Sequence, residues 1–336
     1  MQECSETNLK KHEWDEFIKN NHGDYRQYYD WGTLKEKFGW EIVRLSIYDN
    51  KKLVSLFQLL IKTKGPLIFI YLPGSVVGCE KYLKNVINFI KKKFKKFLFK
   101  YFRADLTSVE EPVYQFLKNK IGLKKTIYNR TGRTKIVLPL QKNIDDQIKN
   151  CDPKWRYNLR FSQRYKINIK TDEKPDVELV YKLSRQLEID KKIGKGHSHQ
   201  EVLSVFSIFE KNILFSKAID QNGNILGFRA ALVHYFNAWD FFAVTTKHGR
   251  KYKVGYPLMI SILKKAQKKG VKNYNFIGDD PINMKNVFSF KKGLKGKVKN
   301  YVGEVEWSNF FILKFFFNFI FFLLYSKYST NFIKKH

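Results

Sequence analysis

A lysine beside two glycines, near the end of the chain, is the pattern best suited to chemistry. The segment 273–303 contains a short apolar strand ending at Gly278, a polar loop, and then Lys291 followed by Gly293 and Gly296. A glycine where a strand ends lets the backbone approach a ligand closely. A lysine beside it supplies a cation for a phosphate or for a developing oxyanion. The alternative interpretation is a solvated lysine without a role.

A tryptophan and a lysine one helical turn apart form a second candidate site. Gln27, Trp31 and Lys35 follow each other at intervals of four residues, so a helix would place them on one face. The indole of Trp31 can stack against a ligand, and the ammonium of Lys35 can bind its phosphate. The alternative is an amphipathic helix with a core tryptophan and a solvated lysine.

A row of arginines forms the third candidate site. Arg156, Arg160 and Arg164 recur at i, i+4 and i+8, and the segment 154–166 contains no acidic residue. Guanidinium groups bind phosphate in a bidentate manner. We therefore predict an anion-binding helix face.

The loop 245–258, which contains Tyr252, is the fourth candidate. A transferase that uses acyl-CoA usually has two or more glycines in such a loop, so that backbone N–H groups reach the pyrophosphate. Gly249 and Gly255 are too far apart to match this pattern, which weakens the acyl-CoA interpretation.

The composition indicates a polyanionic partner. The chain has 336 residues with 63 Lys and Arg against 31 Asp and Glu, a net charge of +32. Such an excess favours RNA, anionic lipid or a phosphate-bearing substrate. The three cysteines have no paired spacing, so we expect a reducing cytosol and neither a disulfide framework nor a metal site. The polar segment 1–14 predicts no signal peptide, and no motif indicates a cofactor.

The C-terminal segment is unusually rich in phenylalanine. Eight of the sixteen residues 310–325 are Phe, and only Lys314 and Asn318 interrupt the apolar run 309–325. As a helix it would be about 25 Å long, slightly short for a bilayer. We favour a membrane-seated anchor, with the protein at the cytoplasmic face of the cell membrane, over a helix buried in the fold.

The elements that must position these residues follow one plan twice. Each half has three strands joined by tight turns, then a helix, then a further strand. The strands and helices are predicted at 41–48, 52–62, 66–72, 80–97 and 97–104, and at 213–219, 225–234, 239–245, 254–269 and 272–277. A mostly helical connector, 143–210, lies between them. We predict an α+β fold with an internal duplication, in which domains 1–145 and 146–305 precede the hydrophobic segment 306–336.

In order and content these pieces resemble the FemABX family of peptidoglycan-bridge aminoacyl ligases, over about 12–305. The likeness rests on the following motifs: Gln27…Trp31…Lys35…Gly39-Trp40, Tyr71-Leu72-Pro73-Gly74, Lys154…Arg156…Asn158…Arg160, Leu258…Ala266…Gly270, Tyr274…Phe276…Gly278, Phe290-Lys291…Gly296 and Tyr301…Gly303-Glu304. The resemblance implies two tandem GNAT-like domains, with mixed, largely antiparallel sheets and flanking helices. The chain lacks a coiled-coil arm, as in the compact members, and its turn at 74–76 lacks the family's Arg and second Pro.

The resemblance also implies an activity. The family transfers an amino acid from aminoacyl-tRNA to an amine of a lipid-linked or nucleotide-linked cell-wall precursor. By this likeness Lys35 would bind a substrate phosphate, Lys291 would be the catalytic lysine, and Lys192 would replace an arginine of the family. We expect a monomer without a cofactor.

Two other functions remain open from the sequence. One is a GNAT-like acyltransferase that uses acyl-CoA or an acyl carrier and modifies a surface glycan or lipid-linked sugar. The other is a non-catalytic basic protein that binds RNA or membranes.

Overall fold

The described residues form two compact units. The structure, a computed structural model, describes residues 2–106, 108–129, 133–171, 174–191, 196–278, 281–282 and 284–325. One unit contains residues up to Arg133 together with those from Asn300 onward, and the other contains 134–299. The division precedes the expected boundary at 145, because the strand that begins at Thr134 pairs within the second sheet.

The first unit contains eight strands and five α-helices among its described residues. In chain order they are β1 (Gln2–Glu6), α1 (Lys11–Asn20), α2 (Tyr29–Glu36), β2 (Glu41–Asp49), β3 (Lys52–Lys64), β4 (Leu67–Leu72), β5 (Val77–Gly78), α3 (Leu83–Lys93), β6 (Phe99–Leu106), α4 (Glu111–Ile121) and β7 (Lys124–Lys125), and after the second unit β15 (Gly303–Ser308) and α12 (Ile312–Tyr325).

The sheet of the first unit has the order β1-β2-β3-β4-β6-β15-β7, and β5 pairs with β3. Strands β2, β3 and β4 are antiparallel, whereas β6 runs parallel to β4. A parallel neighbour requires a crossover, and α3 supplies it. The apolar stripe predicted for this helix packs on one face of the sheet through Leu83, Val86, Ile87 and Ile90.

The second unit contains seven strands and seven α-helices among its described residues. They are β8 (Thr134–Pro139), α5 (Ile144–Asn150), α6 (Pro153–Gln163), β9 (Asn168–Lys170), α7 (Val177–Asp190), α8 (His199–Ile208), β10 (Ile213–Ile219), β11 (Ile225–His234), β12 (Asn237–Thr245), α9 (Lys247–Lys251), α10 (Gly255–Lys268), β13 (Asn273–Asn275), α11 (Lys285–Lys292) and β14 (Lys297–Asn300).

The sheet of the second unit has the order β14-β8-β13-β12-β11-β10-β9. Strands β10, β11 and β12 are antiparallel, and β13 lies parallel to β12 after the crossover helix α10. Each unit therefore has the predicted plan of an antiparallel meander, a helix and a parallel strand. Helix α10 buries a stripe of apolar residues against this sheet, including Met259, Ile262 and Leu263.

The Phe-rich segment forms a helix that belongs to the first unit. Strand β15 pairs with β6, and α12 packs on both strands. Within the described residues, no helix combines the length and the apolar content that crossing a bilayer requires. The lysines that follow the segment in the sequence lie outside the described residues.

Candidate functional site

Helix α11 of the second unit brings Lys291 to the end of strand β13. The side chain is 3% exposed, and its ammonium donates a hydrogen bond to the carbonyl of Ile277. The same ammonium lies 5.6 Å from the centre of the Phe276 ring. Lys291 is therefore a buried cation held at a strand end, which excludes the solvated-lysine interpretation.

Gly278 follows this carbonyl directly and has a φ of +72°. A backbone in this region strongly favours glycine. Among the described residues, no atom lies within 4 Å of the position that a Cβ would occupy. The predicted strand end at Gly278 is three residues too late, because β13 ends at Asn275, but Gly278 does have open space beside it among the described residues.

The site lies where two parallel strands stop pairing. Strand β13 pairs with β12 over Asn273–Asn275, opposite Asn237–Trp239, whereas β12 continues to Thr245. Ile277 is two residues beyond the last pair. The ammonium of Lys291 therefore binds the backbone at a point where β13 has stopped pairing with β12.

Helix α6 fixes the position of α11. The indole nitrogen of Trp155 donates to the carbonyl of Phe290 at 3.1 Å, and the amide of Asp152 donates to the carbonyl of Gly293 at 2.8 Å. A Cβ at Gly293 would lie 2.9 Å from Cδ1 of Trp155. Gly293 therefore permits close approach of the two helices, a packing role that the sequence analysis did not predict for it.

Aromatic rings from α6, α10 and α11 meet beside Lys291. The ring of Tyr256 lies edge-on to Trp155 at 4.9 Å and to Phe290 at 5.1 Å. Its hydroxyl accepts a hydrogen bond of 2.8 Å from Asn158. Burial raises the pKa of Tyr256, so this hydroxyl stays protonated near neutral pH.

A buried polar network lies under α11. Arg229 and Asp240 form an ion pair at 3.5 Å, and the hydroxyl of Tyr274 donates to the same carboxylate oxygen at 3.0 Å. The guanidinium of Arg229 also lies 5.3 Å from the centre of the Phe290 ring. Burial raises the pKa of Tyr274 well above its usual value, and the Asp240 charge raises it further.

Sequence reasoning missed this network. Arg229 and Asp240 lie inside the adjacent strands β11 and β12, where their nearest neighbours in sequence are apolar. A charge inside such a strand is the signal that could have revealed them. Tyr274 belongs to the motif Tyr274…Phe276…Gly278, which does not by itself indicate a buried network.

The arginines of α6 have separate roles. Arg156 donates to the carbonyls of Lys149 and Cys151, at 2.5 and 2.8 Å, and so caps the C-terminal end of α5. Arg160 is exposed and, with Arg156, lines a cavity of about 540 Å³ between α5 and α6. Arg164 lies just beyond the helix. Arg156 already donates to backbone carbonyls and Arg164 lies beyond the helix. The three arginines therefore do not form one row of equivalent anion-binding groups on α6.

A larger groove adjoins this cavity. It has a volume of about 1090 Å³ and lies between α5, α6, α10 and β9. Its basic lining residues are Lys142, Lys264, Lys265 and Lys268. The two cavities share Ile148, Leu159 and Gln163, so they adjoin along α6, and Asp145 also lines the larger one.

The tryptophan–lysine pair of the first unit is formed as predicted. The ammonium of Lys35 lies 4.8 Å from the centre of the Trp31 ring, one turn away on α2. Trp31 also packs edge-on against Tyr25 at 5.2 Å. The pair can stack against a ligand and bind an anion, and its assignment to a substrate phosphate stays a prediction.

The prediction that Gln27 shares the helix face of this pair is wrong. Gln27 ends a separate 3-10 turn, because Tyr28 is extended with a ψ of 149° and α2 begins only at Tyr29. The Gln27 amide is fully buried and donates to the carbonyl of Pro73. It therefore holds the turn 73–75 and does not face a ligand.

The predicted residue Tyr252 does not contact Lys291 or α11 in any interaction that the structure describes. Tyr252 packs against Tyr165 at 4.7 Å, at the C-terminal end of α9, and the tyrosine that contacts α11 is Tyr256. Lys192 lies outside the described residues.

Comparisons with solved structures show the fold. The chain is similar to the crystal structure of FemX, with a TM-score of 0.76 and 13% identity over 90% of this chain and 96% of that chain. It is also similar to a tandem GNAT protein from the clavulanic acid biosynthesis pathway (0.58, 11% identity, 92% and 98% covered) and to L-PGS from Bacillus licheniformis (0.53, 13% identity, 93% and 96% covered).

These likenesses confirm the predicted tandem GNAT-like α+β fold and, at the level of fold alone, the resemblance to the FemABX family. At 11–13% identity they concern the fold alone. No protein-family model matches the chain, and no curated protein matches it.

Proposed function

We propose that the protein is an acyltransferase of the GNAT-like type that moves an amino acid from aminoacyl-tRNA to an amine of a cell-wall precursor peptide. The fold is similar to that of FemX and of tandem GNAT proteins, and fold alone does not define function. The observation that carries the proposal is the buried ammonium of Lys291 at the open end of β13.

Lys291 suits the demands of this reaction. The acceptor amine attacks the ester carbonyl carbon, and the carbonyl oxygen becomes an oxyanion in the tetrahedral intermediate. The bond from carbon to the ribose oxygen then breaks, an amide remains, and the proton lost by the amine ends on the released ribose hydroxyl. A fixed cation stabilises the oxyanion most effectively in a site that excludes water. Because the ester is already activated, positioning and charge stabilisation contribute most of the remaining rate enhancement.

The loop after β12 disfavours acyl-CoA as the donor. A pyrophosphate needs free backbone N–H groups at a helix N-terminus. Here the amides of Thr246, Gly249 and Arg250 donate to acceptors within the protein. At the start of α10, the amides of Tyr256 and Leu258 do the same, and Pro257 has no N–H. A Cβ at Gly249 would lie 2.1 Å from the Leu226 carbonyl oxygen, so this glycine serves packing.

The charge distribution favours a nucleic-acid donor. The net charge is +32, and the groove along α6 carries several lysines and Arg160. Helix α6 also holds α11 through Trp155. The same helix therefore connects a surface suited to phosphates with the proposed catalytic lysine. Binding of this kind weakens steeply with salt because counterions are released.

A transfer assay with a matched lysine control tests the proposal. The wild type, Lys291→Ala and Lys292→Ala are given charged tRNA and a lipid-linked precursor peptide, and amide formation is followed. Lys292 is the exposed neighbour on the same helix. We expect Lys291→Ala to lose at least about a hundred-fold in kcat, as for loss of an oxyanion-stabilising group, and Lys292→Ala to remain active. Full activity of a folded Lys291→Ala variant would overturn the assignment.

Donor binding separates the classes of function. The protein is titrated with charged tRNA, uncharged tRNA and acetyl-CoA at low and high salt. Preference for charged tRNA that weakens with salt supports the ligase. Tight binding of acetyl-CoA without a preference for charged tRNA would favour the glycan acyltransferase over the ligase. Equal binding of both tRNAs without transfer activity would indicate a non-catalytic RNA-binding protein.

A further inference from the structure

The two polar residues of helix α12 face the protein, whereas many of its apolar residues are exposed. Asn318, one of the two polar residues that interrupt the apolar run, is buried and donates to the carboxylate of Glu306 on β15 at 2.8 Å. Its side-chain oxygen accepts from the amide of Tyr128 at 3.0 Å. The other, Lys314, is half-buried on the same side, and burial lowers its pKa.

Aromatic contacts hold this inward side on the sheet. Phe317 is buried and stacks on Tyr101 of β6 at 4.2 Å and on Phe69 of β4 at 5.2 Å. One turn later, the guanidinium of Arg103 lies 4.4 Å from the centre of the Phe321 ring. Contacts at 314, 317, 318 and 321 follow one face of a helix, so the orientation of α12 is set by specific partners.

On the opposite side of the helix, the exposed side chains that the structure describes are all apolar. We call this side the outer face of α12, and it consists of Ile312, Phe315, Phe316, Phe319, Leu323 and Leu324, with the exposed Phe311 directly before the helix. The exposed fractions are 52% for Phe315, 60% for Phe319 and 62% for Leu324. A helix in contact with water has the reverse arrangement, with polar residues outward. Apolar patches of this extent mark interaction surfaces.

We propose that the outer face of α12 docks the protein on an anionic lipid bilayer, with the helix lying in the plane of the interface. Its fourteen residues span about 21 Å, less than the hydrocarbon thickness of about 30 Å. An apolar face with basic residues around it is the pattern of an interfacial helix. The proposal concerns location only and does not depend on the proposed reaction.

Neighbouring residues extend the surface and give it a positive border. Asn309, just before the helix, donates to the carbonyl of Leu98 at 2.9 Å, and Leu98 is itself exposed. Lys95 and Lys96 precede Leu98 and are exposed. Such lysines attract anionic headgroups. A second copy of the chain would carry the same charge of +32, and the repulsion disfavours self-association through this face.

Vesicle flotation with the full chain tests the proposal. The vesicles are an equal mixture of phosphatidylcholine and phosphatidylglycerol. The test variant is Phe315→Ser with Phe319→Ser, and the control is Phe116→Ser on α4, where the phenylalanine is 44% exposed in the same unit. We expect the double variant to bind at least ten-fold more weakly and the control to bind as the wild type does. Equal binding of the double variant would overturn the proposal.

A charge variant and the oligomeric state complete the test. Lys95→Glu with Lys96→Glu should weaken binding to the mixed vesicles several-fold and leave binding to pure phosphatidylcholine unchanged. Equal binding of this variant to the mixed vesicles would refute the role of the positive border. A dimer that the Phe315→Ser, Phe319→Ser variant abolishes, together with no vesicle binding by the wild type, would show that the face joins two copies instead.

Discussion

The indole nitrogen of Trp155 donates to the backbone carbonyl of Phe290, the residue before Lys291, at 3.1 Å. The two residues are far apart in sequence, and this bond fixes the helix that carries the buried lysine. Gly293 contributes to the same contact, since a Cβ there would lie 2.9 Å from the indole ring. The position of the Lys291 ammonium thus depends on how closely α6 and α11 approach.

Gly293→Ala should separate these two helices. Overpacking of a close contact costs about 1–3 kcal/mol, and displacement of Lys291 should lower kcat more than it raises KM. The control is Gly255→Ala, because the added methyl would lie 3.8 Å from Thr245 Oγ1, an ordinary contact. Urea unfolding and the transfer assay provide the measurements. If Gly293→Ala had the same free energy of unfolding and the same transfer activity as Gly255→Ala, the contact between α6 and α11 would not position Lys291.

Asp240→Asn should destabilise the second unit strongly. It leaves the Arg229 guanidinium buried without its ion-pair partner at 3.5 Å, and removal of one partner of a buried pair costs about 3–5 kcal/mol. Tyr274→Phe removes only one hydrogen bond to the same carboxylate and should cost about 1 kcal/mol. Chemical denaturation compares the two variants. If Asp240→Asn lowered the free energy of unfolding less than Tyr274→Phe does, the ion pair would not be important for stability.

Gln27→Leu and Lys35→Ala should separate stability from activity. Loss of the Gln27 amide leaves the Pro73 carbonyl without this donor, so we expect a destabilisation of about 1–3 kcal/mol. Lys35 is half-buried and lies over Trp31, so its loss should leave the melting temperature nearly unchanged and raise KM for a phosphorylated acceptor. Thermal melting and steady-state kinetics test both. An unchanged KM in Lys35→Ala would refute its predicted role.

Glu306→Gln should change how stability depends on pH. Burial raises the pKa of Glu306, against hydrogen bonds from Tyr101 and Asn318 and the charges of Arg103 and Lys314, which lower it. A carboxyl whose folded pKa is raised stabilises the protein below its unfolded pKa of about 4.3. That contribution is lost as pH rises through the higher folded pKa.

The neutral glutamine lacks this titration. The free energy of unfolding of the wild type should therefore fall relative to that of Glu306→Gln as the pH is raised from about 4 to about 7. Melting curves of both proteins across this range measure the difference. A constant difference would show that Glu306 does not titrate with a raised pKa.

Much of the architecture is local in origin and could be predicted from the sequence. The two meanders, the crossover helices and the short strand β13 follow from apolar periodicity and turn residues, which act over a few neighbours. The tryptophan–lysine pair on α2 was predicted because helical spacing alone places residues i and i+4 together. The tandem fold followed from the repetition of one plan.

Other features depend on contacts that no local pattern encodes. Gln27 leaves the helix face because its amide binds the distant Pro73 turn, and the Arg229–Asp240–Tyr274 network forms only when three strands align. The sequence by itself determined that α12 would be an apolar helix with two polar interruptions. Only the tertiary structure decided that these interruptions face the sheet, because Glu306 and Tyr128 supply the partners that a buried Asn318 requires.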